Sequence, residues 1–149
     1  MRVYDPVFFI LRRKGTEVWH VSSDATVYDA MKMMAEKDVG ALLVMDGDHL
    51  EGIISERDYA RKVILQGRVS KETPVREIMS EAMITVAPEC SVDEAMRHMT
   101  TSRIRHLAVL CDGKVHGMIS IGDLVQWISF AQDQTIEQLE HYIEGKYPC

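Results

Sequence analysis

Apolar and polar positions alternate along this chain in an order that occurs twice. Each occurrence opens with a short apolar strand, at residues 18–21 and again at residues 84–86. An amphipathic helix follows, with apolar residues at the spacing i, i+3, i+4, i+7 that buries one stripe. These stripes are Val27, Ala30, Met31 and Met34 in the first occurrence, and Val92, Ala95, Met96 and Met99 in the second. The pattern predicts two copies of one supersecondary unit.

Two more apolar runs and a second helix complete each copy. The runs are rich in Val, Leu and Ile and span residues 41–45, 50–54, 107–111 and 115–119. Turn residues separate the two runs of each copy and predict hairpins: Asp46-Gly47-Asp48 and Asp112-Gly113. A helix starts at Ser55 and at Ser120, and we expect the first to end near Gly67, a favourable C-cap. The order β-α-β-β-α predicts an α/β fold whose sheets are covered on at least one face.

The two copies superimpose without a gap when residue 20 is aligned with residue 85. Residues 20–63 then align with residues 85–128, and 11 of the 44 aligned pairs are identical. Chance pairing at average composition would give roughly three identities. About 60 residues with so small a sheet cannot easily bury a core alone. The repeat therefore predicts two units related by a pseudo-two-fold axis, with two equivalent clefts at their junction.

The remaining segments lie before, between and after the two units. We divide the chain into an N-terminal helix (1–15), the first unit (16–67), a linker (68–80), the second unit (81–131) and a C-terminal helix (132–149). Within the linker, residues 75–79 predict a short helix that enters the second unit. Residues 135–144 carry apolar residues at helical spacing and predict a terminal amphipathic helix for packing or dimerisation.

Charge and hydropathy exclude two classes of partner. The net charge is −6 and the sequence pI is about 5.5, which argues against a nucleic-acid surface, because such a surface needs a basic stripe. The apolar segment at residues 7–11 is far shorter than the roughly 18 residues of a membrane span. The basic residues Arg12 to Lys14 follow that segment, which is the reverse of a secretory signal. A mitochondrial presequence stays open, although only Arg2 precedes the segment.

Cysteines and histidines show no catalytic or metal-binding spacing. Cys90, Cys111 and Cys149 form an odd, sparse set, which predicts a reducing compartment, and we expect the cytoplasm. The six histidines are scattered, and no HExxH, CxxC or Gly-x-Ser-x-Gly motif is present. We therefore expect a protein that is not an enzyme and holds no metal.

The strand-to-helix turn is the sharpest chemical feature, and it occurs in both copies. Asp58 follows Ser55 by three residues, as Asp123 follows Ser120. Ser-x-x-Asp is close to a capping box and could serve only to start the helix. The same geometry suits a nucleotide, because a helix start favours phosphate and an acidic residue can bind ribose hydroxyls. Arg57 would add positive charge for phosphate. The spacing alone leaves both roles open.

These turns, which occupy matching places in the two copies, resemble the cystathionine-β-synthase (CBS) domain family, whose tandem pair is often called a Bateman module. The segments that carry the resemblance are Gly52-Ile53-Ile54-Ser55-Glu56-Arg57-Asp58 and Gly117-Met118-Ile119-Ser120-Ile121-Gly122-Asp123. It covers residue 16 to about residue 130. Three further stretches are similar to the small stand-alone CBS pairs of bacteria and plant organelles: Glu56-Arg57-Asp58-Tyr59, Gln66-Gly67-Arg68 and Arg103-Ile104-Arg105-His106.

The resemblance implies a sensor for an adenosine-containing ligand, such as AMP, ADP, ATP, NAD(H) or S-adenosylmethionine. In the family, Ser or Thr and Asp of one copy hold phosphate and ribose, and the base lies against the other copy. Carried onto this chain, the first cleft comprises Ser55, Arg57, Asp58, Ile84, Thr85, Arg105 and His106. The second cleft comprises Ser120, Gly122, Asp123, Trp19, His20, Gly40 and Ala41.

The two clefts differ in charge, so we expect them to differ in function. Arg57, Arg105 and His106 give the first cleft groups for phosphate, whereas the corresponding residues of the second are small or apolar. We expect the Asp58 cleft to be the better site for an anionic ligand, and the other to bind weakly, bind a neutral group or stay empty. Outside a ligand role, His106 would be a capped or half-buried side chain.

The function predicted is a non-enzymatic regulatory module that binds AMP, ADP, ATP or NAD(H). The resemblance further implies a homodimer in the form of a flat disc and an unidentified regulated protein. The alternative is a protein-interaction module with vestigial clefts, in which the two terminal helices bind the partner.

Overall fold

The computed structural model describes residues 4–15 and 17–143, with side chains as far as Asp133. The α-helices in the described residues are α1 (Val7–Lys14), α2 (Val27–Lys37), α3 (Glu56–Tyr59), α4 (Val92–Ser102) and α5 (Ile121–Ile143). The strands there are β1 (His20–Val21), β2 (Ala41–Asp46), β3 (His49–Ser55), β4 (Thr85–Val86), β5 (His106–Cys111) and β6 (Lys114–Ser120). A π-helix (Ala60–Ile64) follows α3, and two 3₁₀ helices (Ser70–Glu72 and Val75–Glu77) lie in the linker.

The strands form two three-stranded sheets of the same topology. In each, the first strand pairs parallel with the second, and the second pairs antiparallel with the third, giving the orders β1-β2-β3 and β4-β5-β6. Even the irregularities repeat, because the register shifts between Val44 and Met45 and again between Val109 and Leu110. These two places are equivalent in the alignment of the copies. The predicted α/β fold with two related copies is confirmed.

Local sequence signals begin and end the first helix of each copy. The Thr26 hydroxyl accepts a hydrogen bond from the Asp29 amide (3.1 Å), and the Ser91 hydroxyl accepts one from the Glu94 amide (3.1 Å). Each such cap satisfies one amide that the helix itself leaves free. Both helices end at a left-handed residue with φ of 54°, Asp38 and its repeat equivalent Arg103.

Each sheet has its own hydrophobic core, and each core includes a segment that precedes the other copy in the sequence. The core of the first copy includes Val75 and Ile78 from the linker. The core of the second copy includes Val7, Ile10 and Leu11 from α1. Thus α1 precedes the first copy but packs on the second, whereas the linker segment precedes the second copy but packs on the first.

Backbone hydrogen bonds fix this exchange at equivalent places. The Val92 amide, at the start of α4, donates to the Asp5 carbonyl at 2.9 Å. The equivalent Val27 amide donates to the Thr73 carbonyl at 2.8 Å. The segments that enter from outside each copy are therefore held in the same way.

Three elements differ from the sequence prediction. The first strand of each copy is only two residues long. The helix after Ser55 changes from α to π at Ala60, although Gly67 does lie at its end with a positive φ of 66°. The second helix of copy two and the predicted terminal helix are one continuous helix, α5, so no break separates residues 131 and 132. Residues 144–149 of that terminal segment lie outside the described residues.

Candidate functional site

A cavity of about 330 Å³ lies at the junction of the two copies. Six of the seven residues predicted for the first cleft line it: Ser55, Arg57, Asp58, Ile84, Arg105 and His106. Thr85 is exposed on β4 and lies outside the lining. Gly40, which we had assigned to the second cleft, lines this cavity instead, and a β-carbon built there would lie 3.7 Å from His106 Cε1.

On the side of the first copy, the turn after β3 presents a polar wall. Ser55 and Asp58 form a reciprocal capping box, in which the Asp58 amide donates to Ser55 Oγ (3.2 Å) and the Ser55 amide donates to Asp58 Oδ2 (2.9 Å). The cap predicted from the spacing is therefore present. The capping box leaves part of the Asp58 carboxylate available for a ligand, because its two oxygens together can accept about four hydrogen bonds.

Lys62 holds the second oxygen of Asp58. Its Nζ lies 3.2 Å from Asp58 Oδ1 and donates to the Ile78 carbonyl at 2.9 Å. Lys62 lies in the π-helix that follows α3. It is not among the residues that line the cavity, so it contacts Asp58 without filling the space in front of it.

On the side of the second copy, the segment between α4 and β5 presents two arginines, Arg103 and Arg105, and His106. Arg57 from the first copy reaches across to this segment, and its Nη1 donates to the Arg103 carbonyl at 3.0 Å. Arg103 was quoted in the family resemblance but was missed as a site residue. The left-handed C-cap at this position turns its carbonyl toward the other copy.

His106 is a half-buried wall of the cavity. Burial lowers its pKa from the ordinary value of 6.5, and the nearby positive charge of Lys14 lowers it further. Asp123 opposes this change and Arg105 adds to it. The imidazole is therefore neutral at pH 7 and can donate one hydrogen bond and accept another.

The second predicted cleft has the same turn, but a lysine from α1 reaches it. The Asp123 amide donates to Ser120 Oγ (3.1 Å), and the Ser120 amide donates to Asp123 Oδ2 (2.8 Å). Lys14 Nζ lies 2.7 Å from the same Oδ2. Burial alone would raise the pKa of Asp123, but the bonds from Lys14 and Ser120 outweigh it and lower that pKa. The two clefts thus differ in the lysine that binds their aspartate, which comes from the same helical segment for Asp58 and from α1 for Asp123.

The other residues predicted for the second cleft have separate surroundings. Trp19 packs partly against the core of the first copy, with Lys37 Nζ 4.2 Å from its ring centroid. His20 is exposed, whereas Ala41 is fully buried on β2. A β-carbon at Gly122 would meet only Ser120 Oγ, at 3.6 Å. None of these residues lines the cavity described above.

Among the described residues, a metal-binding cluster and a membrane-spanning helix are both absent. No group of three or more His, Cys, Asp or Glu residues there is arranged to hold a metal ion. No helix within residues 4–15 and 17–143 has the length and apolar character that crossing a bilayer requires.

The repeat, the sheet topology and the shared turns have a counterpart in a known family. A family model for the CBS domain matches residues 13–65 and 75–130. The chain belongs to the CBS-domain family. The resemblance inferred from the two Gly-x-Ile-Ser-x-x-Asp turns is thereby confirmed.

Relatives and solved structures within the CBS-domain family include whole CBS pairs. An Arabidopsis thaliana protein named CBS domain-containing protein CBSX3, mitochondrial, is 46% identical over 138 residues, which are 89% of this chain and 66% of that protein. The structure of a protein with CBS domains from Burkholderia ambifaria MC40-6 has a TM-score of 0.80 at 52% identity, over 83% of this chain and 93% of that one. Because the Arabidopsis relative is named as mitochondrial, the cytoplasmic location stays a prediction.

One of the similar solved structures is a CBS pair with bound ligands. The CBS domain pair of protein MJ0100, in complex with 5′-methylthioadenosine and S-adenosyl-L-methionine, has a TM-score of 0.76 over 86% of this chain and 98% of that one. Its sequence is 23% identical to this chain, so the similarity shows a shared fold.

Proposed function

We propose that this chain is a regulatory module that binds an anionic adenosine compound, AMP, ADP, ATP or NAD(H), in the Asp58 cleft between its two CBS copies. The observation that carries the proposal is the cavity of about 330 Å³, which combines Ser55 and Asp58 of one copy with Arg105 and His106 of the other. Its volume lies within the range of small-molecule sites, which is roughly 300–1,000 Å³.

Asp58 is the group proposed to hold the ribose. A carboxylate accepts hydrogen bonds from vicinal hydroxyls, as acidic residues do in dinucleotide sites. The amide of Ser55 and the ammonium group of Lys62 already fix its two oxygens in place. A ligand would therefore meet a carboxylate that is held in one orientation, which lowers the entropic cost of binding.

The cavity's charges favour phosphate over a cationic ligand. Three arginines line it, Arg57, Arg103 and Arg105, against two acidic residues, Glu56 and Asp58. Arginine binds phosphate with charge-assisted, often bidentate hydrogen bonds. The CBS pair of protein MJ0100 was solved with S-adenosyl-L-methionine, which carries a sulfonium cation. For this chain we propose instead a ligand whose charge is negative.

Calorimetric titration of AMP, ATP and NADH into the wild-type protein tests this function. At least one of them should bind, and Asp58→Asn should weaken it about tenfold or more, because a lost charge-assisted bond costs roughly 1.5–3 kcal/mol. Asp123→Asn is the matched control, since the same change at the pseudo-equivalent position should leave binding within about twofold. The proposal fails if none of the three binds at millimolar concentration, or if only Asp123→Asn weakens binding.

We also propose that the module forms a homodimer through the surface of α1 and α5. Phe8, Phe9 and Phe130 on these helices are each between 38% and 43% exposed, and ring contacts through Trp127 join them. Exposed apolar groups that cluster in this way are typical of interaction surfaces. The same surface supports the alternative function, in which the helices bind a regulated partner protein.

Light scattering on the purified protein distinguishes a dimer from a monomer. The wild type should have twice the mass of one chain, and Phe8→Glu should reduce that mass toward one chain. Val69→Glu is the control, because Val69 is also exposed (54%) but lies in the linker. A monomeric wild type would contradict the dimer and leave this surface to the alternative function.

A further inference from the structure

We infer that Lys14 is a specificity-determining residue that closes the second cleft, so that the chain takes up one ligand rather than two. This inference rests on the proposed function. Lys14 is the last residue of α1, and Asp123 is the pseudo-equivalent of the proposed ribose-binding Asp58. The ammonium group of Lys14 bonds to Asp123 Oδ2, one of the two oxygens that the ribose of a second ligand would need.

The contact is held at two points. Lys14 Nζ donates to Asp123 Oδ2 at 2.7 Å and to the Met118 carbonyl at 2.9 Å. The Asp123 oxygen it meets is the same one that accepts from the Ser120 amide. Lys14 and Asp123 also line one pocket together, a space of about 280 Å³ between α1 and α5.

The helix that carries Lys14 is firmly docked on the second copy. Val7, Ile10 and Leu11 belong to that copy's core and are at most 5% exposed. The Val7 amide also donates to the Cys90 carbonyl at 2.8 Å. The ammonium group of Lys14 therefore extends from a helix that is packed in place on the second copy.

The linker position that aligns in sequence with Lys14 holds a small side chain. The two exchanged segments align on Pro6 and Pro74, and Lys14 then corresponds to Ala82, each eight residues after its proline. Ala82 lines the open Asp58 cavity. The aligned position thus holds a methyl group, although the backbone there is not helical as it is at Lys14.

Lys62 does not play the same part toward Asp58. It lies four residues after Asp58 on the same helical segment and outside the cavity lining. Lys14 instead comes from a separate segment, 109 residues away in sequence from Asp123. The difference between the clefts therefore depends on Lys14.

The test is the binding stoichiometry of AMP and of ATP, measured by titration calorimetry with each compound in turn. Wild type should bind one molecule per chain, and Lys14→Ala should bind two. Arg12→Ala is the matched control, because Arg12 is an exposed cation on the same helix, and it should leave the value at one.

A second set of variants assigns the new site. Asp58→Ala should bind no ligand, Asp58→Ala with Lys14→Ala should bind one, and adding Asp123→Ala should abolish that binding. If wild type binds one molecule and Lys14→Ala also binds one, or if wild type already binds two, the role of Lys14 is wrong while the proposed function stands. If neither compound binds wild type or Lys14→Ala, and NADH binds neither protein as well, the proposed function fails and this inference falls with it.

Discussion

The side chain of Leu11 covers Gly117 so closely that a β-carbon built on this glycine would lie 2.7 Å from Leu11 Cδ2. Leu11 is in α1 and Gly117 is in β6, so the contact docks the N-terminal helix on the sheet of the second copy. In the first copy, the equivalent Gly52 is covered by the linker, and its β-carbon would lie 2.7 Å from the backbone oxygen of Ser80. At both glycines, the absence of a β-carbon allows the exchanged segment to pack closely against the strand.

Alanine at these two glycines should destabilise the protein to different degrees. Overpacking costs roughly 1–3 kcal/mol, and the cost depends on whether the neighbour can move. A leucine side chain can rotate, whereas the Ser80 carbonyl is fixed by reciprocal backbone hydrogen bonds with Ile53. We expect Gly117→Ala to lie near the lower end of that range and Gly52→Ala near the upper end. Urea denaturation measures both, and an equal loss of stability would contradict the argument.

The exchange of the two segments was missed by the sequence analysis, although the chain carries a signal for it. When Pro6 is aligned with Pro74, Asp5-Pro6-Val7 and Ile10-Leu11 match Thr73-Pro74-Val75 and Ile78-Met79. The alignment of the two copies has a different offset and begins only at residue 20, so it did not include these segments. No local pattern states which copy a helix will cover, because that choice depends on tertiary packing.

The repeated turns were predicted well because their chemistry is local. Ser55 and Asp58 need only their own segment to form a capping box, and so do Ser120 and Asp123. The ion pair between Lys14 and Asp123 joins residues 109 positions apart, and nothing in the repeat indicates it. Symmetry predicted that the second cleft would match the first, but Lys14, which lies outside the repeat, binds the aspartate of the second cleft.

Truncating Leu11 should test how strongly α1 stabilises the second copy. Leu11→Ala removes a side chain that is 2% exposed, and such changes cost about 2–5 kcal/mol. Arg12→Ala, at an exposed position on the same helix, should cost less than about 1 kcal/mol. Tryptophan fluorescence can follow the unfolding. Trp127 belongs to the second copy and Trp19 to the first, so in a Trp19→Phe background the fluorescence comes from the second copy alone. A similar cost for both truncations would show that α1 is not part of that core.

Replacing Ser55 and Ser91 separates the cap from the ligand role that the spacing had left open. Both hydroxyls cap a helix, so Ser55→Ala and Ser91→Ala should each lose about 1 kcal/mol of stability. Only Ser55 lines the cavity, so only Ser55→Ala should also weaken the binding of AMP or ATP beyond the effect of stability. Thermal unfolding and calorimetry on the same samples measure the two effects. Equal affinities in the two variants would leave Ser55 with a capping role alone.

His106 should make the stability of the module fall as the solution is acidified. Its pKa in the folded state is lowered, chiefly by burial and then by Lys14, whereas in the unfolded chain it is about 6.5. The unfolded state therefore binds a proton first, and the folded state loses stability as the pH falls below about 6.5. His106→Gln removes the titration, so its stability should depend less on pH between about 7.5 and 5.5. Urea denaturation at several pH values measures the two slopes, and equal slopes would contradict this role.

The same histidine should give ligand binding the opposite dependence on pH. A phosphate bound beside His106 favours the protonated imidazole, so the pKa of His106 should rise in the complex and binding should take up a proton. Affinity for AMP or ATP in the wild type should then increase between pH 7.5 and 6.0, as long as the protein stays folded. In His106→Gln this increase should be lost, because protonation of the ligand's own phosphate removes negative charge and does not strengthen binding beside arginines. Calorimetry in two buffers with different ionisation enthalpies counts the protons taken up, and an equal uptake by both proteins would place the phosphate away from His106.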